Sequence, residues 1–416
     1  KYNLERAIPS VMDGLKTSQR KILYAAFKRN LTQELRVAQF AGYVSEHSGY
    51  HHGEASLNEA IIGMAQDFVG ANNIPWLVPQ GQFGTRIQGG SDSASPRYIH
   101  THLQPKTKHL VPNQDFPVLA YRDDDGIPVE PEWYAPVLPM LLVNGARGIG
   151  TGYSTYIPPY NPATLKQCVV DWLKGDTAAL DRSLVPYFAG FKGTIDADGT
   201  VTGLYSKQKD DFVVTELPPG TWTADYREWV EKQLVDGTIK DFVDVSTDTE
   251  VNIRLKGIAE PLLIKSLTEK IKTTNMHAFN HKGIITKYAT PNEILKEYAS
   301  VRLALYETRR LHQLEALRKE LPFHTNVVRF IEDQILDKPT IQLRKKTRAE
   351  CDAILKGASY DQVSDSYDYI MRLPVSSFTK EEIDKHHKTL ARLRGEIADL
   401  ETTKPAEMWL NEIASV

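Results

Sequence analysis

Between Lys16 and Arg29 the apolar residues Ile22, Leu23, Ala26 and Phe27 recur at helical spacing, with polar and basic residues between them. Glu34 to Tyr43 and Ser56 to Phe68 repeat that period. The first 125 or so residues therefore read as a compact set of short helices. The acidic turn Asp123-Asp124-Asp125-Gly126 marks a boundary, and the pattern then changes. Thr194 to Tyr205 holds Asp198-Gly199 between short β-prone runs, which predicts a hairpin. Asp211 to Leu217, ended by Pro218-Pro219, predicts a strand, and the alternation in Val251 to Leu255 predicts a half-buried one. Residues from about 127 to 289 thus mix strands and helices.

At Thr290 the pattern changes again. Thr290-Pro291-Asn292-Glu293 is a capping box with Pro at the first helical position. Ile294, Tyr298, Val301 and Leu305 follow at steps of four, three and four, and Leu311, Leu314, Leu317 and Leu321 continue the stripe. A second capping box, Thr379 to Glu382, opens another helix. There Ile383, Leu390 and Ile397 form one heptad series and His386, Leu393 and Leu400 the other. Two long helices around an insert at about 322–378 predict an antiparallel coiled-coil arm with the insert as its tip. Plain helical packing within one protomer fits the same heptads. No fixed-period repeat or low-complexity tract occurs.

The chain has 416 residues, room for two to four domains at a prior of about 150 residues each. Hydrophobic residues are 41% and charged residues 25%, as in ordinary soluble globular proteins. A net charge of −3 does not announce a nucleic-acid partner. The distribution does, because Lys16, Arg20, Lys21, Lys28, Arg29 and Arg36 cluster with only Glu34 to oppose them in that span. A local basic field docks phosphate whatever the total charge. Short helices with basic faces suit a helix-turn-helix or winged-helix unit, and an ordinary amphipathic bundle fits the same pattern. Cys168 and Cys351 cannot make a disulfide framework, which suits a reducing compartment. No signal peptide or run of about 18 apolar residues is present, so no membrane partner is expected. The chain opens on Lys1 rather than Met, and we expect a piece of something larger.

Three stretches carry candidate chemistry. In SASPRYIHTHL, Arg97 precedes Tyr98. A phenol of pKa about 10 is a poor nucleophile, and a neighbouring cation improves it by favouring the phenolate. Arg suits a phosphorus centre, since its fork pairs with two phosphate oxygens. The group His47, His51, His52 and Glu54 could bind zinc, but it lacks the His-Glu-x-x-His spacing of two ligands on one helical face. His51 reads equally as a structural histidine. Gly148-Ile149-Gly150 lies in NGARGIGTG, which lacks the Lys-Ser/Thr ending of a P-loop, so ATP is not expected there. On residues alone, Ile149 reads as a buried side chain in a tight turn. Asp123 to Asp125 read as an acidic turn rather than a metal site.

The run GQFGTRIQGGSDSASPRYIHTHL, Gly81 to Leu103, resembles the active-site segment of type IIA DNA topoisomerases, nearest to the eukaryotic topoisomerase II branch. LKTSQRKILYAAFKRNL, YHHGEASL and EPEWYAPVLPMLLVNGARGIGTGYSTYIPP agree with that family in order, and a weaker likeness runs to the C-terminus. The resemblance implies a multidomain α+β chain. It comprises a winged-helix DNA-binding domain at 1–125, an α/β tower at 126–289 and a coiled-coil arm at 290–321 and 379–402. A helical C-gate dimerisation tip lies at 322–378, with a C-terminal helix at 403–416 returning toward the core.

It further implies that Tyr98 attacks a DNA phosphodiester, joining the 5′ phosphate and leaving a 3′ hydroxyl. Arg97 would stabilise the pentavalent transition state, Arg20 would contact phosphate near the scissile bond, and His52 would hydrogen-bond or relay a proton. Ile149 would be an apolar wedge that bends DNA. Lys16, Lys21, Lys28, Arg29, Arg36 and Arg86 would line the duplex. Double-stranded DNA and a second copy of the chain are the implied partners. Magnesium and ATP are implied for the full-length enzyme, bound by Toprim and ATPase domains outside these residues, so no metal site is expected within them. Thr17-Ser18 stand where cellular relatives typically carry Pro-Gly, and Ser91 where they carry Lys. A large DNA virus homologue is therefore an expectation beside a nuclear enzyme, with host-cell cytoplasm or a viral replication site as its location. The rival readings are a non-catalytic DNA-binding scaffold with a coiled-coil arm, a phosphodiesterase using the histidines, and a gyrase or topoisomerase IV A-type subunit. Covalent trapping of DNA on tyrosine separates the topoisomerase readings from the others.

Overall fold

The structure, a computed structural model, describes residues 2–416. The first elements are helix α1 (Tyr2–Glu5), helix α2 (Thr17–Arg29), strand β1 (Leu35–Arg36), helices α3 (Val37–Ser48) and α4 (Glu54–Ala65), strand β2 (His100–Thr101) and helix α5 (Pro105–Leu110). Strands β3 (Tyr121–Asp124) and β4 (Ile127–Pro131) follow, then helix α6 (Met140–Asn144), strands β5 (Ala146–Gly150) and β6 (Tyr153–Ile157), and helix α7 (Pro162–Leu173). The mixed segment holds β7 (Thr194–Ile195), β8 (Thr200–Thr202), β9 (Leu204–Gln208), β10 (Asp211–Glu216), helix α8 (Thr223–Val235), β11 (Asp241–Asp244) and β12 (Ile253–Lys256). It ends with helix α9 (Glu260–Ser266) and strands β13 (Thr268–Lys270), β14 (Met276–Phe279) and β15 (Ile285–Tyr288). The last helices are α10 (Pro291–Gln334), α11 (Arg348–Gly357), α12 (Asp368–Met371), α13 (Lys380–Thr402) and α14 (Pro405–Ile413).

The chain divides into two compact units, one of residues up to 305 with 409–416 and the other of residues 306–408. In the first unit, α2, α3 and α4 pack on one another and bury Ile22, Leu23, Ala26, Phe40, Val44, Leu57 and Ile61, the positions whose spacing predicts the helices. The helix expected from Glu34 starts three residues late. Leu35 and Arg36 pair with Thr101 and His100 as a short ladder, and helix begins only at Val37. The acidic turn is the tip of the β3–β4 hairpin, with Asp125 and Gly126 at positive φ. The hairpin crosses the boundary expected at residue 125, and both flanks lie in one unit.

The predicted hairpin around Asp198-Gly199 forms as β7–β8, with Gly199 at φ 84. Asp211–Glu216 and Ile253–Lys256 are the predicted strands, central in an antiparallel sheet of order β11-β12-β10-β9. Its buried face (Phe212, Val214, Ile253, Leu255) closes on Tyr226 and Val230 of α8. Trp409 of α14 is fully buried in the first unit, with its indole N–H on the Val137 carbonyl at 3.0 Å and its ring edge-on to Trp172 and Tyr298. That contact holds the C-terminal segment to the core.

The hydroxyl half of each predicted capping box forms at the arm helices. Glu293 N–H lies 3.3 Å from Thr290 Oγ1, and Glu382 N–H 3.4 Å from Thr379 Oγ1. The first arm helix does not stop at 321. It continues through Pro322 to Gln334, because Val327, Phe330 and Ile331 beyond the proline are buried. Their burial offsets a helical proline, which costs about 3 kcal/mol. Leu311 is half exposed and lies off the predicted stripe. Within the second unit, Arg310 donates to the Leu400 carbonyl and, 14 residues on, His324 meets His386, so α10 and α13 run antiparallel. The tip has its own core of Phe330, Ile341, Leu355, Tyr360, Tyr367 and Ile370.

Candidate nucleic-acid cleavage site

Tyr98 is 73% exposed although Ile99 beside it is 1% exposed. A turn closed by Tyr98 N–H on the Ser95 carbonyl presents it. The first turn of α3 clamps that turn from below. Val37 N–H donates to the Ile99 carbonyl at 3.0 Å and Ala38 N–H to the Pro96 carbonyl at 3.1 Å. These amides have no partner within the helix itself, so docking the loop satisfies them. On the other flank, Gln80 and His100 exchange both backbone hydrogen bonds at 3.0 Å. The phenol is thus held outward on a rigid loop, with Arg97 exposed next to it. Arg36, also exposed, pairs in register with His100 on the adjoining ladder.

His52 lies past the other end of α3, whose 12 residues span about 18 Å. It is half-buried, edge-on to Tyr50 at 5.4 Å, in a small pocket with Arg6, Lys21, Thr17 and Ser18. Burial lowers its pKa below the ordinary imidazole value, and Arg6, His51 and Lys21 lower it further. Arg6 carries no signal in the sequence. It also lines the cleft beneath Ile149 together with Lys16, and only folding reveals that it joins the two. His51 faces Asp124 at 3.3 Å, the structural role its alternative reading gives it. Among the described residues no group of three or more His, Cys, Asp or Glu could hold a metal ion.

Ile149 is 83% exposed near the tip of the β5–β6 hairpin, opposite Ser154. The buried-turn reading therefore fails. The hairpin lies so close to the Ala7 carbonyl that a Cβ on Gly148 would come within 1.8 Å of it, which explains the glycine there. Lys16, its pKa lowered by burial, donates to the Arg147 carbonyl at 2.7 Å and ties the hairpin to the start of α2. The charged lining of a cleft of about 730 Å³ beside it is Lys16, Arg147, Lys270 and Lys272 with Glu269, and Lys270 also pairs with Asp198. Arg147, Lys270 and Lys272 escape sequence reasoning because they come from distant, unremarkable segments.

Two expected phosphate contacts are corrected by their burial. Arg20 is 3% exposed, and its Nε and a terminal nitrogen pair with Asp13 at 2.7 and 3.0 Å while the same terminal nitrogen reaches the Leu15 carbonyl. Asp13 also accepts from Tyr134 N–H at 2.9 Å, so Arg20 locks the start of α2 to the core. Arg86 is equally enclosed and pairs with Glu216 of β10, which is fully buried. This pair anchors the Gly84–Gly90 loop, whose Arg86 and Ile87 carbonyls accept from Thr223 and Ala224 at the start of α8. Lys21 is mostly buried and bonded to Glu130 at 2.7 Å. Lys28 and Arg29 are exposed, over the rings of Tyr24 and Tyr43.

Residues 6–414 match the DNA gyrase/topoisomerase IV family model, which describes the A-type subunit of those enzymes. Over the whole chain, 38% of residues are identical to DNA topoisomerase 2 of Arabidopsis thaliana, and 37% over 98% of the chain to the mitochondrial DNA topoisomerase 2 of Dictyostelium discoideum. The chain spans about a third of those relatives, 32% and 33%. The crystal structure of the Plasmodium falciparum topoisomerase II DNA-binding, cleavage and re-ligation domain superposes with a TM-score of 0.87. It shares 35% identity over 99% of this chain and 61% of that one. An exposed tyrosine on a clamped loop, an apolar hairpin tip and a basic cleft are thus arranged on a backbone common to these proteins, and the chain belongs to the type IIA DNA topoisomerase family, in its topoisomerase II branch.

Proposed function

We propose that this chain is the breakage–reunion region of a topoisomerase II that cuts and reseals duplex DNA through Tyr98. The observation that carries the reading is the exposed Tyr98–Arg97 pair on a loop fixed at both flanks. The Tyr98 oxygen attacks phosphorus and loses its proton to solvent or a base. The bond from phosphorus to the 3′ oxygen breaks, and that oxygen leaves as a hydroxyl. The phosphotyrosine ester conserves the bond, so religation is the reverse attack and needs no nucleotide. Arg97 supports the charge that gathers on the equatorial oxygens.

Tyr98 and the His52–Arg6–Lys21 cluster stand at opposite ends of α3, about 18 Å apart by helix length. This separation suits a homodimer in which two chains complete each site. Two Tyr98 esters then give a double-strand break, with a second duplex passing through it. The 1–125 region acts as the winged-helix gate, 126–289 as tower, 290–321 with 379–402 as arm, and 322–378 as C-gate. Magnesium and ATP are assigned to other parts of the full-length enzyme, which works in the nucleus, or at a viral replication site if virus-encoded. Denaturing-detergent trapping of labelled duplex by enzyme containing this chain tests the proposal. A covalent adduct mapping to Tyr98 supports it, and no adduct, or one on another residue, overturns it.

A further inference from the structure

Beside the His52 pocket lies a buried carboxylate to which the reading above gives no part. Glu130, on β4, is 1% exposed. Its Oε2 lies 2.7 Å from the Lys21 ammonium, which also donates to the Ser48 carbonyl. Ser48 is the last residue of α3, and Gly49 turns the chain away at φ 62. The carbonyls of a last helical turn lack intrahelical partners and favour a cation. A lysine on a flexible four-carbon stem would otherwise sample many rotamers in solvent. Here two acceptors hold it.

We propose that Glu130 is a positioning residue for the His52–Arg6–Lys21 cluster: it fixes the Lys21 ammonium at the end of α3, beside His52 and Arg6. The functional consequence rests on the breakage–reunion reading, and the geometric claim stands without it. The groups that face His52 are Arg6 and Glu5 from the α1 segment, Lys21 from α2, Tyr50 and His51 beside it, and Asp124 of β3 through His51. Lys21 lowers the His52 pKa, after burial, Arg6 and His51. If Lys21 loses its tether, its charge disperses and that influence goes with it.

The test is a double-mutant cycle read by NMR titration of the His52 ring in the 416-residue chain without DNA. In the natural background Lys21→Met should raise the His52 protonation constant about threefold, the size of effect expected of a nearby like charge partly screened by solvent. In a Glu130→Gln background the same Lys21→Met change should have a clearly smaller effect, because only the Ser48 carbonyl still holds the ammonium. An equal shift in both backgrounds overturns the proposal. Where Glu130→Gln does not fold, Glu130→Asp draws the carboxylate back by one methylene. The Lys21→Met effect must shrink there too, and an undiminished effect is equally fatal. In the full-length enzyme Glu130→Gln should slow single-turnover cleavage roughly tenfold, the scale of loss expected when a reacting group is misplaced, and weaken DNA affinity less, with partial recovery in Glu130→Asp. Failure of the natural enzyme to form any adduct would sink the breakage–reunion reading and leave the titration cycle to decide the role of Glu130.

Discussion

At the residue scale, the molecule separates arginines that look alike in the sequence. Arg97 is exposed beside Tyr98, while Arg20 and Arg86 are enclosed with Asp13 and Glu216. Removing one partner of such a pair strands a buried charge, at about 3–5 kcal/mol. Arg86→Ala should therefore lower stability by about that much in urea unfolding, and the salt dependence of DNA binding in the surviving folded protein should not change. A reduced salt slope would return Arg86 to the DNA surface. Tyr98→Phe keeps the ring and removes only the attacking oxygen. It should abolish the covalent adduct and leave duplex affinity nearly intact, read by trapping and equilibrium binding together. Arg97→Ala should slow single-turnover cleavage more than it weakens binding, since its contact strengthens as charge develops. Equal losses would make Arg97 a simple phosphate anchor.

At the element scale, the β5–β6 hairpin holds an apolar side chain in solvent, and the arm holds two histidines in contact. Ile149→Ala shortens the wedge and should reduce DNA bending, measured by energy transfer between dyes at the duplex ends. An unchanged bend with intact affinity would remove that role. In the arm, His324 Nδ1 and His386 Nδ1 are 3.0 Å apart, so at most one can carry a proton between them. Burial lowers the His386 pKa, and His324 lowers it further, against Glu382. A depressed folded value adds stability that is fully present above the ordinary imidazole pKa of about 6.5. That stability is lost as pH falls through the folded value. Amide protection factors in α10 and α13, corrected for the intrinsic exchange rate, should fall below about pH 6.5, and His386→Leu should flatten that dependence. Identical acid profiles for both proteins would show that this contact does not titrate.

At the scale of the whole molecule, a net charge of −3 coexists with a cleft whose charged lining is Lys16, Arg147, Lys270 and Lys272 with Glu269. Binding to duplex should weaken steeply with added salt, because each phosphate contact releases condensed counterions. The 416-residue chain should bind DNA and dimerise, by sedimentation, yet fail to relax supercoils with ATP and magnesium. Robust relaxation by this chain alone would mean that metal and nucleotide sites lie among residues we assign to tower and arm.

Local pattern determined a good deal of this protein. The periods of α2, α3 and α4, the Asp198-Gly199 turn, and the Thr290 and Thr379 N-caps that start α10 and α13 are set by neighbours three or four residues apart, and each appeared within a few residues of its expected place. The Arg97-Tyr98 segment was legible too, because its motif is continuous. Tertiary structure decided what depends on distant partners. Glu216 lies 130 residues from Arg86 and Asp13 seven from Arg20, and no periodicity says which arginine a buried carboxylate will claim. Burial of Val327 and Ile331 carried α10 through Pro322 against its local preference. Ile149 is exposed because Gly148 lets its hairpin close on Ala7. Arg6, Lys21, Glu130 and His52 form one cluster because four segments converge on the end of α3. Desolvation and charge pairing act through space, and only the folded chain sets those distances.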